Sequence, residues 1–249
     1  MEITFDPSQL IGKITELQKV QIPRAGAIAL NKAIFEGSQE LKRQSISRFN
    51  QPVPLTQNAF LYKKATEQML EARLFVRDDV PKGNSPSRYL APQIFGGLHY
   101  RTRFQRALGY TPNPEDNSPI LAPNRVMIPT GSPAVRRNQY GNMSPGQYTQ
   151  VLSSIRGESS AGNKVVRAGR GRNKTATRYF YVSQEMLDDQ YRNLRSRTPG
   201  IFMYRNGTLS KVLTESPPPN YAAKFPFFDI ARSTVTTEFT KTFTGMILR

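Results

Sequence analysis

His99 is the single histidine of a chain that contains no cysteine. With one imidazole and no thiol, the sequence offers neither a Ser-His-acid arrangement that can be recognised nor a cluster of His and Cys metal ligands. His99 lies beside Tyr100 on a predicted helix and is read as structural. Carboxylates gather at Asp78-Asp79 and at Glu185, Asp188 and Asp189. A two-metal nuclease would need such groups to converge on one cation, but adjacent acids at a turn or strand end are read first as solvated. The glycines of Ala168-Gly169-Arg170-Gly171-Arg172 carry neither the Lys-Ser/Thr of a phosphate-binding loop nor the dinucleotide-binding spacing. The chain is therefore read as a non-enzyme without metal or cofactor.

The chemistry present in excess is positive charge. Lysine and arginine number 35 against 18 acidic residues, a net charge of +17, which makes a polyanion, nucleic acid first of all, the expected partner. The densest stretch is 156–178, with Arg156, Lys164, Arg167, Arg170, Arg172, Lys174 and Arg178 against Glu158 alone. Glycine and serine separate these charges, so the stretch has little to bury and is expected to be a flexible basic arm. Arg167, Arg170, Arg172, Lys174 and Arg178 are the candidate nucleic-acid-facing residues, acting on phosphates without reading sequence. Tyr179, Phe180 and Tyr181 adjoin them and offer rings for base stacking, although Tyr-Phe-Tyr-Val is equally the pattern of a strand. No run approaches the ~18 apolar residues of a membrane span. The opening MEITFDPSQL lacks the charged-then-apolar layout of a signal peptide, so a protein made and kept in the cytoplasm, without a membrane partner, is expected.

These residues need a scaffold. Asp6-Pro7 reads as a helix start continued by Leu10, Ile14 and Leu17, and Pro23 restarts or kinks the helix. From Pro23 to about Phe49 the apolar set Ala27, Leu30, Ile34 and Leu41, extended by Ile46 and Phe49, predicts a long amphipathic helix ended by Gln51-Pro52-Val53-Pro54. Leu70, Ala72, Leu74 and Val76 alternate with Glu71, Arg73, Phe75 and Arg77, a half-buried strand with 58–64 as its antiparallel neighbour. A helix is predicted over Ile94–Leu108. Residues 109–142, punctuated by prolines, show no period and are expected to run extended. Ser144 and Pro145 start another helix, with Gln147 at the capping-box position. Asn206-Gly207 is a tight-turn signal that joins strands at 201–205 and 208–213 into a hairpin. A last helix carries Phe228, Ala231, Val235, Phe239, Phe243 and Met246 along one stripe and is expected to pack on the sheet.

The fold class that follows is α+β: an antiparallel sheet flanked by a long N-terminal helix and a C-terminal helix, with long extended loops or arms. The whole chain, 1–249, is read as one domain with excursions at 109–142 and 156–178. Counting glycine with the apolar residues and leaving tyrosine out gives about 39%, below the roughly 45–50% of an ordinary domain. Contacts with other subunits are expected to order the remainder.

Several segments, in order, resemble the bacteriophage tail completion proteins grouped with the lambda-type minor tail protein Z. They are QIPRAGAIALNKAIFEG (21–37), SRYLAPQIFGGLHYRTRFQRALGY (87–110), GNMSPGQYTQVLSSI (141–155), TPGIFMYRNGTLSKVL (198–213) and the terminal amphipathic helix, together more than half of the chain. The proline-rich passage and the basic arm depart from the smaller members of that group. The resemblance implies a structural virion protein at the head-proximal end of a phage tail or neck, assembled in the host cytoplasm. It also implies a homo-oligomeric ring, usually sixfold, whose partners are other tail or neck proteins and the DNA in the channel. The alternatives are a sequence-nonspecific DNA-binding protein acting off the particle and a phage nuclease.

Overall fold

The computed structural model describes residues 17–81, 83–113, 117–159, 166–168, 175–189 and 198–247. The chain is α+β, with antiparallel sheets, a long N-terminal helix and a C-terminal helix. It forms two compact units: Met1–Gly96 together with Ala222–Arg249, and Gly97–Tyr221, inserted between those two segments in sequence.

In the first unit a π-helical turn, Leu17–Gln21, runs into helix α1, Ile22–Arg48. Pro23 sits in the first turn of α1, where its missing N–H costs nothing. Of the predicted apolar face, Ala27, Ile34 and Leu41 are buried, but Ile46 is exposed. The deepest row is instead Ala25, Ala29, Ala33, Gly37, Leu41 and Ser45, one residue in four and nearly all small. After the single turn α2, Pro54–Gln57, strand β1, Phe60–Lys63, pairs antiparallel with β2, Arg73–Val76, as expected. Leu74 and Val76 are half-buried and Arg73 and Phe75 exposed, so the alternation holds there, but Leu70, expected on the inward face, lies before the strand and is exposed. Helix α3, Pro86–Phe95, ends at Gly96 and Gly97, whose φ angles of +78° and +107° interrupt the helix expected over 94–108. His99 consequently lies outside any helix.

The second unit begins with β3, Gly97–Leu98. Helix α4, Arg103–Gly109, is opened by a capping box in which the Thr102 hydroxyl accepts from Gln105 N–H and the Gln105 side chain accepts from Thr102 N–H. Strand β4, Val126–Pro129, follows, then helix α5, Pro145–Ser159, starting where the Ser144-Pro145 signal placed it. Next come β5, Val166–Ala168, β6, Thr175–Val182, the short helix α6, Gln184–Asp188, and the hairpin of β7, Gly200–Arg205, with β8, Thr208–Ser216. Asn206 and Gly207 hold φ of +50° and +76° in the turn, the two positive angles that Asn-Gly was expected to supply. The strands form one antiparallel sheet in the order β4-β8-β7-β6-β5. One face of it buries Tyr179 and Ile201 with Val151 and Ile155 of α5, and the other buries Val182 and Phe202 with Leu187 of α6. Strand β9, Asn220–Tyr221, pairs with β3, so the strands by which the chain enters and leaves this unit are joined.

Two expectations about the second unit change. Residues 109–142 contain β4 and the isolated bridges Pro112↔Pro119 and Arg137↔Met143, so the passage is folded back on itself rather than extended throughout. Of the predicted arm, 156–159 close α5 and 166–168 and 175–178 are strand; 160–165 and 169–174 lie outside the described residues.

Back in the first unit, Phe225 and Phe227 join Leu41, Phe60 and Leu90 in a core where the Phe60 and Phe225 rings stack at 5.6 Å. Helix α7, Phe227–Ile247, then runs along α1 and not on the sheet as expected. Ala231, Val235, Phe239 and Phe243 are half-buried there, while Phe228 and Met246 remain exposed. The row of small residues on α1 explains the partner: a Cβ added at Gly37 would stand 2.9 Å from a Val235 methyl, so the helices meet at the closest approach their side chains allow.

Candidate functional site

Charge is the first property to place. Arg43 pairs with Glu40 and Arg73 with Glu71, each at 2.6 Å, and Arg125 with Glu215 at 3.7 Å. The hydrogen bonds from Gln44 and Arg43 hold the Glu40 carboxyl below its ordinary value, and Arg73 does the same for Glu71. Surface pairs of this kind stabilise little. Even if every carboxylate in the chain met a cation, 17 positive charges would be left over.

The five candidate residues divide. Arg178 stands on β6 with its guanidinium 5.6 Å from the centre of the Phe180 ring. Arg167 is in β5, opposite Ala176, while Arg170, Arg172 and Lys174 lie outside the described residues. The sheet brings to Arg178 a cation that the sequence reading missed. Phe180 of β6, Phe202 of β7 and Lys211 of β8 occupy one row across three strands, and Arg178 and Tyr204 begin the next. The Phe180 and Phe202 rings stack at 6.4 Å, and Lys211 Nζ lies 5.6 Å from the Phe202 centroid. A signal existed: a two-residue turn at Asn206-Gly207 fixes Phe202 opposite Lys211 by counting alone. Lys211 also donates to the Thr198 hydroxyl at 2.6 Å, and burial lowers its pKa to about 8, with Glu215 opposing.

Other arginines support the loops. Arg101 donates to the carbonyls of Gln105 and Leu121, and Arg137 to those of Thr130 and Gly141. Proline-rich loops are short of N–H donors, and a guanidinium supplies several in a fixed fork. Gln147 works the same way from the core. The capping box expected of it does not form, because Ser144 N–H donates to the Arg136 carbonyl; the Gln147 amide is fully buried, accepting from Arg136 N–H and donating to the Ala134 carbonyl and the Tyr179 hydroxyl.

No protein-family model, curated protein or solved structure matches the chain. Its chemistry has to be read from its own side chains. Two of the clustered carboxylates are engaged locally: Asp78 accepts from the hydroxyls of Ser87 and Ser85, which lower its pKa, and Asp188 accepts from Gln184. Among the described residues no three His, Asp or Glu side chains gather as metal ligands would. His99 lines a cleft of about 220 Å³ in the second unit, with Thr102, Phe104, β4, Tyr148 and Tyr221 around it. Its Nδ1 is 3.5 Å from the Tyr221 hydroxyl, and burial holds its pKa below the ordinary imidazole value. Two aromatic pairs wall the cleft, Phe104 with Tyr148 at 4.6 Å and His99 with Tyr221 at 6.1 Å. Gln105 reaches behind them to the Met127 carbonyl at 3.1 Å. Among the described residues, none that lines the cleft carries a full charge at neutral pH, so none of them offers a phosphate a counter-charge.

Proposed function

We propose that the chain is a non-catalytic structural subunit of a tailed-bacteriophage particle, forming a closed ring around the DNA channel at the head-proximal end of the tail. The observation that carries this reading is the surplus of 17 cations that no carboxylate of the chain can match. Such a surplus repels itself in a free monomer and finds its counter-charge in a polyanion that all subunits share. The ordered resemblance of five segments to the tail completion proteins supplies the setting. Arg178 and Lys211, on one sheet face with β7 between them, support phosphate contact without sequence readout.

The test is a reconstruction of the intact particle with the subunit tagged at its C-terminus. Several copies in one closed ring at the head-proximal end are expected. Particles that lack the protein overturn the proposal, and a purified monomer that binds duplex DNA tightly and salt-dependently then favours a DNA-binding role off the particle.

A further inference from the structure

The cleft around His99 has the wrong chemistry for DNA and the wrong size for a free ligand. It is neutral in a chain of net charge +17, and its volume of about 220 Å³ falls below the roughly 300–1,000 Å³ of small-molecule sites. Its walls are two aromatic pairs, with Pro129 and Pro219 beside them. A hole of this kind suits one aromatic side chain with a polar tip, the sort of anchor that dominates protein interfaces.

The same unit carries such a side chain. Tyr110 is 87% exposed, the most exposed of the large apolar side chains among the described residues. It caps the C-terminal end of α4, while Thr102, Phe104 and Gln105 at the other end of that helix line the cleft. Knob and hole are thus separated by a seven-residue helix, about 10 Å long. We infer that copies of the chain join head to tail, Tyr110 of one entering the His99 cleft of the next. A contact between two different patches leaves each copy with a knob and a hole to offer, and it closes into a ring whenever the rotation per copy divides a full turn. This contact presupposes the ring proposed above and serves as its subunit-to-subunit joint.

Sedimentation velocity on the full chain over a concentration series tests it with two variants. Tyr110→Ala removes the knob; Ile128→Trp, at a half-exposed position of the cleft wall, fills the hole. Each alone is expected to weaken self-association at least about tenfold. An equal mixture is expected to give dimers and nothing larger, because one intact knob and one intact hole remain per pair. Tyr110→Ala that still assembles like the wild type overturns the joint and leaves the ring standing. Open chains that depend on Tyr110 retain the joint and overturn the ring, and a wild type that stays monomeric throughout overturns both. Should Ile128→Trp not fold by circular dichroism, p-cresol titrated into Tyr110→Ala takes its place. The lone histidine gives one imidazole resonance, which p-cresol must shift saturably; an unmoved resonance rejects the cleft as a tyrosine receptor.

Discussion

The helix contact of the first unit and the irregular loops of the second are held by different means. In the first, the contact between α1 and α7 is made by what is missing: alanines, Gly37 and serines let the helices close, and large residues such as Ile28, Phe35 and Phe228 stay exposed. In the second, irregular loops are held by buried polar side chains, Gln147, Gln105 and Thr111 among them, bonded to backbone groups that no sheet or helix satisfies. Close packing fixes that helix contact and hydrogen bonding those loops, although the first unit also has the buried Ser38 bond to the Phe60 carbonyl and the second an apolar core around Tyr179 and Ile201. The lesson is that a buried polar group can take over the ordering role that periodicity plays elsewhere, since leaving its partners unpaired is expensive.

If this contrast is right, the most damaging single change lies in the second unit. Gln147→Leu keeps the volume but strands Arg136 N–H, the Ala134 carbonyl and the Tyr179 hydroxyl. With the Tyr179 hydroxyl buried and the other two groups part-buried, a loss of about 3 kcal/mol is expected in urea unfolding. A cost below 1 kcal/mol would show that the loops order themselves without it. In the first unit the corresponding change is Gly37→Leu, which drives atoms into Val235 and should cost about 2–3 kcal/mol, read in the same assay. An unchanged stability there would mean that α1 and α7 slide freely past one another.

What the sequence made legible follows the same division. The Asn206-Gly207 hairpin, the Ser144-Pro145 helix start and the β2 alternation are local signals, settled by backbone angles, missing donors and a period of two. The buried row of α1 was not legible, because apolar periodicity follows large residues and this row is small. For that reason the pattern of large residues points to Leu30 and Ile46 rather than to Ala25, Ala29 and Ala33, and to the sheet rather than to α1 as the partner of α7. Residues 109–142 were opaque because their order comes from Arg101, Arg137 and Gln147, whose partners are far along the chain or silent in side-chain pattern. At the candidate interface the charge surplus and Arg178 are legible in the sequence, but only strand register puts Lys211 on the same sheet face as Arg178, one strand further on.

The smallest expected effect concerns Lys211, where the hydrogen-bonded unit confines a charge. Its pKa, lowered to about 8 by burial, stands below the ~10.4 of an unfolded lysine. Between those values the unfolded chain holds the proton that the folded chain has released, so this group makes the fold more stable as pH rises from 8 to above 10. Below 8 both states are protonated and the burial penalty persists in full. The half-exposed ammonium is screened by water, so the gain is on the order of a few tenths of a kcal/mol. Lys211→Met, which keeps the contact with Phe202, should abolish the difference in melting temperature between pH 7.5 and 10 that the wild type shows relative to the variant. Parallel pH profiles would mean that Lys211 titrates normally.

Strand β4 is the outer strand of the second unit's sheet, and its free edge is obstructed twice. Gln105 occupies the Met127 carbonyl, and Pro129 has no N–H to give. A neighbouring strand cannot dock along this edge without breaking the first bond and forgoing the second. Copies of the chain crowded together therefore meet a barrier to cross-β stacking on this side. In the proposed ring, contacts along this edge would fall to side chains, which can separate and rejoin.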